Sequence, residues 1–257
     1  MKTVTNTRDI KNENIYNTWV FENEIKDGIS QAKLFNRVKE VGADGIEVRR
    51  EYFKNLPDEL KEINDKRGET KLLVNYSVPD EVFTNDGKIN PLLKQYFDEA
   101  IKMGITKIKF NLGNFKNYNG SLKEDFKQFP LDKIKMNIEN DQTEISGKIA
   151  NIKYFLQKAN QNDVKIGYVY DLGNWTFTNQ DADYAANQLA PFVDYIHLKN
   201  TIVKNGKLET SNDLNTGKFD WKELLKKLPK ADLAMEYPMD NDQELKEQFD
   251  LLKDEVR

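Results

Sequence analysis

The one histidine of this 257-residue chain, His197, closes a strand-like run, DYIHLKN. Three other such runs close on carboxylates: KMNIEN on Glu139, IGYVYD on Asp171 and LAMEYP on Glu236. Three carboxylates and an imidazole are a ligand set for one divalent cation. The excess of oxygen donors favours Mn2+, Mg2+ or Co2+, with Zn2+ possible. Three negative charges in a half-buried site raise one another's pKa, and a cation removes that cost. The same cation polarises a carbonyl or hydroxyl as a Lewis acid. The chain has no cysteine, so a zinc–thiolate site, a thiol nucleophile and a disulfide are all excluded.

Side chains alternate along a strand, so the four ligand candidates can be tested for phase. Asn137 shares a face with Glu139, Gly167 and Val169 with Asp171, Tyr195 and Lys199 with His197, and Ala234 and Pro238 with Glu236. These faces are mostly small or polar, while Met136, Ile138, Ile196, Leu198 and Met235 point the other way. The polar set suits the inside of a barrel mouth. Inward polar positions elsewhere are Glu47, Arg49, Asn75, Lys109 and Asn111. Of the inward set, Glu47, Arg49, Lys109, Asn111 and Lys199 are candidates for substrate contact, and Arg49 and Lys199 suit a phosphate or carboxylate. Plainer roles exist for several of these residues. Asp171 suits a cap on the turn before Gly173, Lys109 suits a counter-charge for Glu47, and Trp19, Phe21 and Trp175 suit core or rim packing.

The elements that must position these residues alternate along the whole chain. Strand-like runs fall at NTWVFEN (17–23), 44–50, 71–78, 107–113, 135–140, 165–173, 194–200 and 232–239. Between them lie helix-like stretches, among them PLLKQYFDEAIKMG, whose Leu92, Leu93, Tyr96, Phe97, Ala100 and Ile101 make one broad apolar face. The weakest helices are the second, at LPDELKEIN, and the fourth, near 120–128. Strand then helix, eight times over, predicts an α/β fold, a closed parallel (β/α)8 TIM barrel, rather than an open sheet, whose Gly-rich phosphate turn is absent. No linker splits the chain, so residues 1–257 read as a single domain. The stretch 201–220 is long for a strand-to-helix loop, and IVKNGKLET within it predicts a small hairpin turning on Asn-Gly.

Composition narrows the function classes. A net charge of −4 and a pI near 5.4 give no footprint for nucleic acid or an anionic membrane. No apolar run approaches a membrane span, and MKTVTNTRDIKNEN lacks the apolar core of a signal peptide. A cytoplasmic location is the expectation.

Order and spacing then carry a resemblance. Glu139-Asn140, Asp171-Leu172-Gly173-Asn174, His197-Leu198-Lys199 and Glu236-Tyr237 succeed one another at intervals of 32, 26 and 39 residues, one strand–helix unit each. The chain resembles the xylose isomerase-like TIM-barrel superfamily, in particular the sugar (phosphate) isomerase/epimerase group that includes ketose 3-epimerases. DGIEVRR resembles the family's second strand, and NTGKFDW (215–221) its turn before the seventh helix. The resemblance implies that Glu139, Asp171, His197 and Glu236 hold one divalent metal, with Glu139 and Glu236 also the acid/base pair. It implies an isomerase or epimerase of a small keto sugar, sugar acid or sugar phosphate, acting through a metal-stabilised cis-enediolate. A dehydratase of a keto-polyol uses the same site, and a non-catalytic ligand-binding barrel is the third alternative. Epimerases of this group often carry a histidine where Asn174 stands. Asn174 can donate a hydrogen bond to a substrate oxygen but cannot titrate. Endonuclease relatives hold three zinc ions with several histidines, which a single histidine cannot supply. Relatives are often dimers or tetramers, so a homodimer is possible, although no apolar stripe commits to one.

Overall fold

The computed structural model describes residues 12–256. The stretch read as lacking a signal peptide falls mostly outside the described residues. Eight parallel strands close into a barrel: β1 (Asn14–Asn17), β2 (Gly45–Arg49), β3 (Leu73–Phe83), β4 (Lys107–Gly113), β5 (Lys135–Glu139), β6 (Ile166–Asp171), β7 (Val193–Leu198) and, after a two-stranded hairpin of β8 (Thr201–Lys204) and β9 (Lys207–Thr210), β10 (Asp232–Met235). Their spatial order is β1-β10-β7-β6-β5-β4-β3-β2. Each barrel strand thus neighbours the strands before and after it in the barrel sequence, and the barrel itself has no open edge.

The hairpin turns where expected, with Asn205 and Gly206 both at positive φ (52° and 76°), as a two-residue turn between twisted strands requires. The first strand is displaced from its expected place. NTWVFEN reads as a strand because it is β-branched and aromatic, yet β1 ends at Asn17 and Thr18–Phe21 winds into a 3-10 turn leading to a helix at Glu22–Lys26. The Asn17 side chain accepts a hydrogen bond from the Trp19 N–H at 2.9 Å, capping that turn and overriding the β propensity of Thr18–Phe21. Of the two helices read as weakest, the second runs over fifteen residues, Leu56–Thr70, although Leu60 and Ile63 are its main buried apolar residues, whereas the fourth is as short as its pattern, five residues at Leu122–Phe126. The helix Leu93–Met103 buries Leu93, Tyr96, Phe97 and Ala100. Leu92 lies before its first turn and Ile101 flanks the buried stripe, so both are exposed rather than part of the apolar face.

The core is two-layered. Outward-facing strand residues such as Met136, Ile138, Ile196, Leu198 and Met235 are buried in one cluster with the helices. Inside the barrel a small cluster of Ile15, Val169, Tyr195 and Ala234 fills the middle. Burial inside therefore falls increasingly on polar side chains toward the strand C-termini, where the site is built. No helix among the described residues is long and apolar enough to cross a membrane.

Candidate metal centre

Glu139, Asp171, His197 and Glu236 each offer a ligand atom, and these atoms lie within 4.8 Å of one another. Their convergence is a consequence of register. On β6 and β7, Asp171 is paired with His197; on β10, His197 is paired with Ala234, two residues before Glu236. All four residues are at most 3% exposed. His197 turns its Nδ1 to Glu139 Oε1 at 2.7 Å and to Glu236 Oε2 at 3.2 Å, and its Nε2 to Glu47 Oε1 at 3.1 Å. Both ring nitrogens, Glu139 Oε1 and Asp171 Oδ2 are buried without a hydrogen bond of proper geometry. Buried polar atoms are rarely left so. A divalent cation among these donors would satisfy Glu139 Oε1, Asp171 Oδ2 and one of the ring nitrogens, and the set has the chemistry of a hard or borderline metal site.

Three cations enter the same volume. Lys109 Nζ pairs with Glu139 rather than with Glu47. Lys199 Nζ bridges Asp171 Oδ2 at 2.7 Å and Glu236 Oε2 at 2.9 Å, and Arg49 Nη1 reaches Glu236 Oε1 at 2.7 Å. Burial opposes ionisation throughout, so these pairs decide the charge states. Burial is outweighed at Glu236 by Lys199, His197 and Lys109, which hold its carboxyl well below the usual range. Lys109 and His197 likewise bring Glu139 down to about 2. At Asp171 burial wins over Lys199, with Glu236 and Glu139 adding to it, and its carboxyl rises to about 7. His197 is raised well above the ordinary imidazole value, since Glu47, Glu236 and Glu139 surround it against the desolvation that would lower it.

Local structure explains how long side chains reach the cluster. A Cβ on Gly173 would lie 2.9 Å from the Lys199 chain, so only glycine lets that lysine pass to Asp171. Asp171 has two tasks: its Oδ1 accepts from the Asn174 N–H at 2.8 Å, capping the turn, while Oδ2 faces the cluster. Asn174 Oδ1 accepts from Lys199 at 3.4 Å, which sets it beside the four candidate ligands. Asn140 braces them from behind, accepting from the Asp171 N–H and the Tyr168 hydroxyl and donating to the Asp171 carbonyl. Near the mouth, the Trp19 ring lies 5.0 Å from Lys199 Nζ and 5.6 Å from the Arg49 guanidinium, which also lies 5.6 Å from the Tyr52 ring. Two expected substrate contacts stand apart. Asn111 donates to the Pro79 carbonyl at the rim, and Glu47 is fully buried beneath His197.

Sequence reasoning misses Asn17, whose Nδ2 donates to Glu47 Oε1 and Glu236 Oε1. Its signal is its position: it shares the inward phase with Ile15 at the end of β1, hidden when the first strand is placed too late in the chain. Asn140 enters the sequence pattern only as part of a motif.

The profile described as xylose isomerase-like TIM barrel matches residues 35–255. The chain belongs to that family. No curated protein matches this family member by sequence. Among solved structures, a probable 3-DHS dehydratase from Bacillus anthracis superposes with a TM-score of 0.69 at 14% identity, covering 94% of this chain and 98% of that one. An L-ribulose 3-epimerase gives 0.68 at 14% identity, covering 96% and 95%, and a 3-keto-D-glucoside 4-epimerase from E. coli gives 0.60 at 15%, covering 95% and 100%. At these identities the likeness is one of fold.

Proposed function

We propose that this xylose isomerase-like barrel is a divalent-metal-dependent epimerase or isomerase of a small keto sugar, with Glu139 and Glu236 as its acid/base pair. The observation that carries the reading is the convergence of four buried ligand residues, with orphaned donor atoms, at the C-terminal mouth of the barrel. Glu139, Asp171, His197 and Glu236 would hold the metal, which supplies Lewis-acid polarisation of a carbonyl and its neighbouring hydroxyl.

The rest is done by the chain's own groups. Glu139 and Glu236 approach His197 Nδ1 from β5 and β10, two strands separated by β6 and β7. One carboxylate removes the proton from the carbon beside the carbonyl, and the other returns a proton to the opposite face, inverting the centre. For the proton count to balance, one glutamate enters ionised as the base and the other enters protonated as the acid, the two having exchanged states once the centre is inverted. Because Lys109 on Glu139 and Lys199 and Arg49 on Glu236 favour the ionised form of each, the acid takes its proton from solvent before each turnover.

Charge favours a neutral substrate over a sugar acid or phosphate. Arg49, Lys109 and Lys199 are each committed to a buried carboxylate. Arg49 is shared with Glu51, also at 2.7 Å, so the carboxylates around the site outnumber its three cations and leave none of them free for an anionic group on the substrate.

The test is metal content of the protein and of the His197→Ala and Glu139→Ala variants, then incubation with neutral ketoses in D2O. About one metal per wild-type chain, lost in both variants, with deuterium entering beside the carbonyl and no UV-absorbing dehydration product, is the expected result. Wild-type protein without metal or exchange would overturn the reading, and a conjugated product would make it a dehydratase.

A further inference from the structure

We infer that Glu47 is a positioning residue that fixes the tautomer of His197, holding the proton on Nε2 so that Nδ1 is free for the metal. The inference rests on the metal reading above and removes Glu47 from the groups that touch substrate.

The two ring nitrogens face different surroundings. Nδ1 looks toward Glu139 and Glu236, two of the proposed ligands, whereas Nε2 looks toward Glu47 alone among the carboxylates, at 3.1 Å. Glu47 Oε1 already accepts from the Asn17 N–H and faces Nε2 at 3.1 Å, out of hydrogen-bond alignment. Once a cation sits among Glu139, Asp171 and Glu236, the proton on Nδ1 has no place, and a proton on Nε2 has Glu47 Oε1 as the acceptor within reach. Neutral imidazole then has its lone pair where the metal is. Carboxylate–histidine pairs behind metals fix ligand orientation in this way.

Glu47 is itself held so that it cannot turn away. It lies in Cα register between Asn17 of β1 and Asn75 of β3 and is fully buried. The Asn17 amide cannot flip, because its oxygen accepts the Trp19 N–H, a bond its nitrogen could not make. Its Nδ2 therefore donates to Glu47 Oε1, the same oxygen that faces His197. Below, the Tyr195 ring stands edge-on to the imidazole, with centroids 4.9 Å apart and planes at 85°, which fixes the plane in which the two nitrogens are sorted.

With a single histidine, the imidazole nitrogens assign themselves. Protein labelled with 15N-histidine and loaded with Zn2+, which is diamagnetic, is studied by long-range proton–nitrogen correlation, with Zn2+ affinity measured alongside. The expected wild-type spectrum has a protonated Nε2 and an unprotonated, metal-shifted Nδ1. Glu47→Gln, which keeps an acceptor, retains that tautomer with an affinity loss of less than about tenfold, while Glu47→Leu loses the tautomer preference and about 10–100-fold in affinity. Metal on Nε2 in the wild type, a Glu47→Gln protein that loses the tautomer, or a Glu47→Leu protein that keeps it overturns the role of Glu47 alone. A wild-type protein that takes up no Zn2+, Mn2+ or Mg2+ overturns the metal reading and this inference together.

Discussion

The two halves of the barrel divide the site's chemistry. β5, β6, β7 and β10 bring Glu139, Asp171, His197 and Glu236, the groups able to bind a metal. β1, β2 and β4 bring Asn17, Glu47, Arg49 and Lys109, which touch those groups and set their charge and orientation. Lys199, on the ligand side, is the exception. One half of the barrel carries the candidate ligands, and the other half, their frame, supplies cations and amides that help hold Glu139 and Glu236 ionised. Removing a residue from either half should therefore fail in a different way.

The largest effect is expected from the ligand half. His197→Ala and Glu139→Ala should lose the metal, and Glu236→Gln should lower the exchange rate by about 10²–10⁴-fold. Metal content and deuterium wash-in read both, and a ligand variant with wild-type metal and rate would erase the distinction between the halves. In the frame half, Lys109→Met strands Glu139 in the interior. The metal-free protein should lose about 3–5 kcal/mol, the usual cost of breaking one side of a buried pair, and metal loading should restore part of it. Denaturant unfolding with and without Mn2+ measures this, and equal losses in both conditions would make Lys109 a fold residue only.

Acid should act on the ligand half directly. Asp171, raised to about 7 by burial and its carboxylate neighbours against Lys199, must ionise to bind a cation. His197, raised well above its ordinary value despite burial, must give up its Nδ1 proton. Both signs agree: metal affinity falls as pH drops, and loading releases protons. The fall is about tenfold per unit near pH 7 and above, where His197 alone gives up a proton, and up to about a hundredfold per unit below about 7, where Asp171 must as well. Affinity independent of pH between about 6 and 8 would contradict these charge states. Arg49→Met removes one charged partner of Glu236, and loss of a charge-assisted bond predicts a decrease of about ten- to hundredfold in kcat/KM for a neutral ketose. A selective loss on anionic sugars would restore Arg49 as a substrate clamp. Asn111→Ala, with its amide on the Pro79 carbonyl at the rim, should change stability and rate little, within about 0.5 kcal/mol.

Much of the ligand half is legible in the sequence because strand phase and strand ends are local properties. The alternation in KMNIEN and DYIHLKN puts Glu139 and His197 on the inner face whatever the rest of the chain does. Hairpin β8–β9 is legible for the same reason, since Asn-Gly specifies its turn. The first strand is not, because a single side-chain cap at Asn17 outweighs the β propensity of TWVF, and such a cap leaves no pattern in hydropathy. Leu92 and Ile101 escape the helical pattern because spacing fixes a face only within limits, and the position of a neighbouring helix decides its edges.

The sequence by itself determined the eightfold strand–helix alternation, the ligand types and their order. Those come from periodicities of two and 3.6 residues and from which side chains carry lone pairs. Only the tertiary structure decided the pairings: Lys109 with Glu139 rather than Glu47, Arg49 with Glu236, and Glu47 behind His197. The physical reason is that closing the barrel sets which inward residues meet across the interior. Residues 30 to 187 positions apart become hydrogen-bonded neighbours there, and buried charges then choose partners by distance and desolvation rather than by sequence.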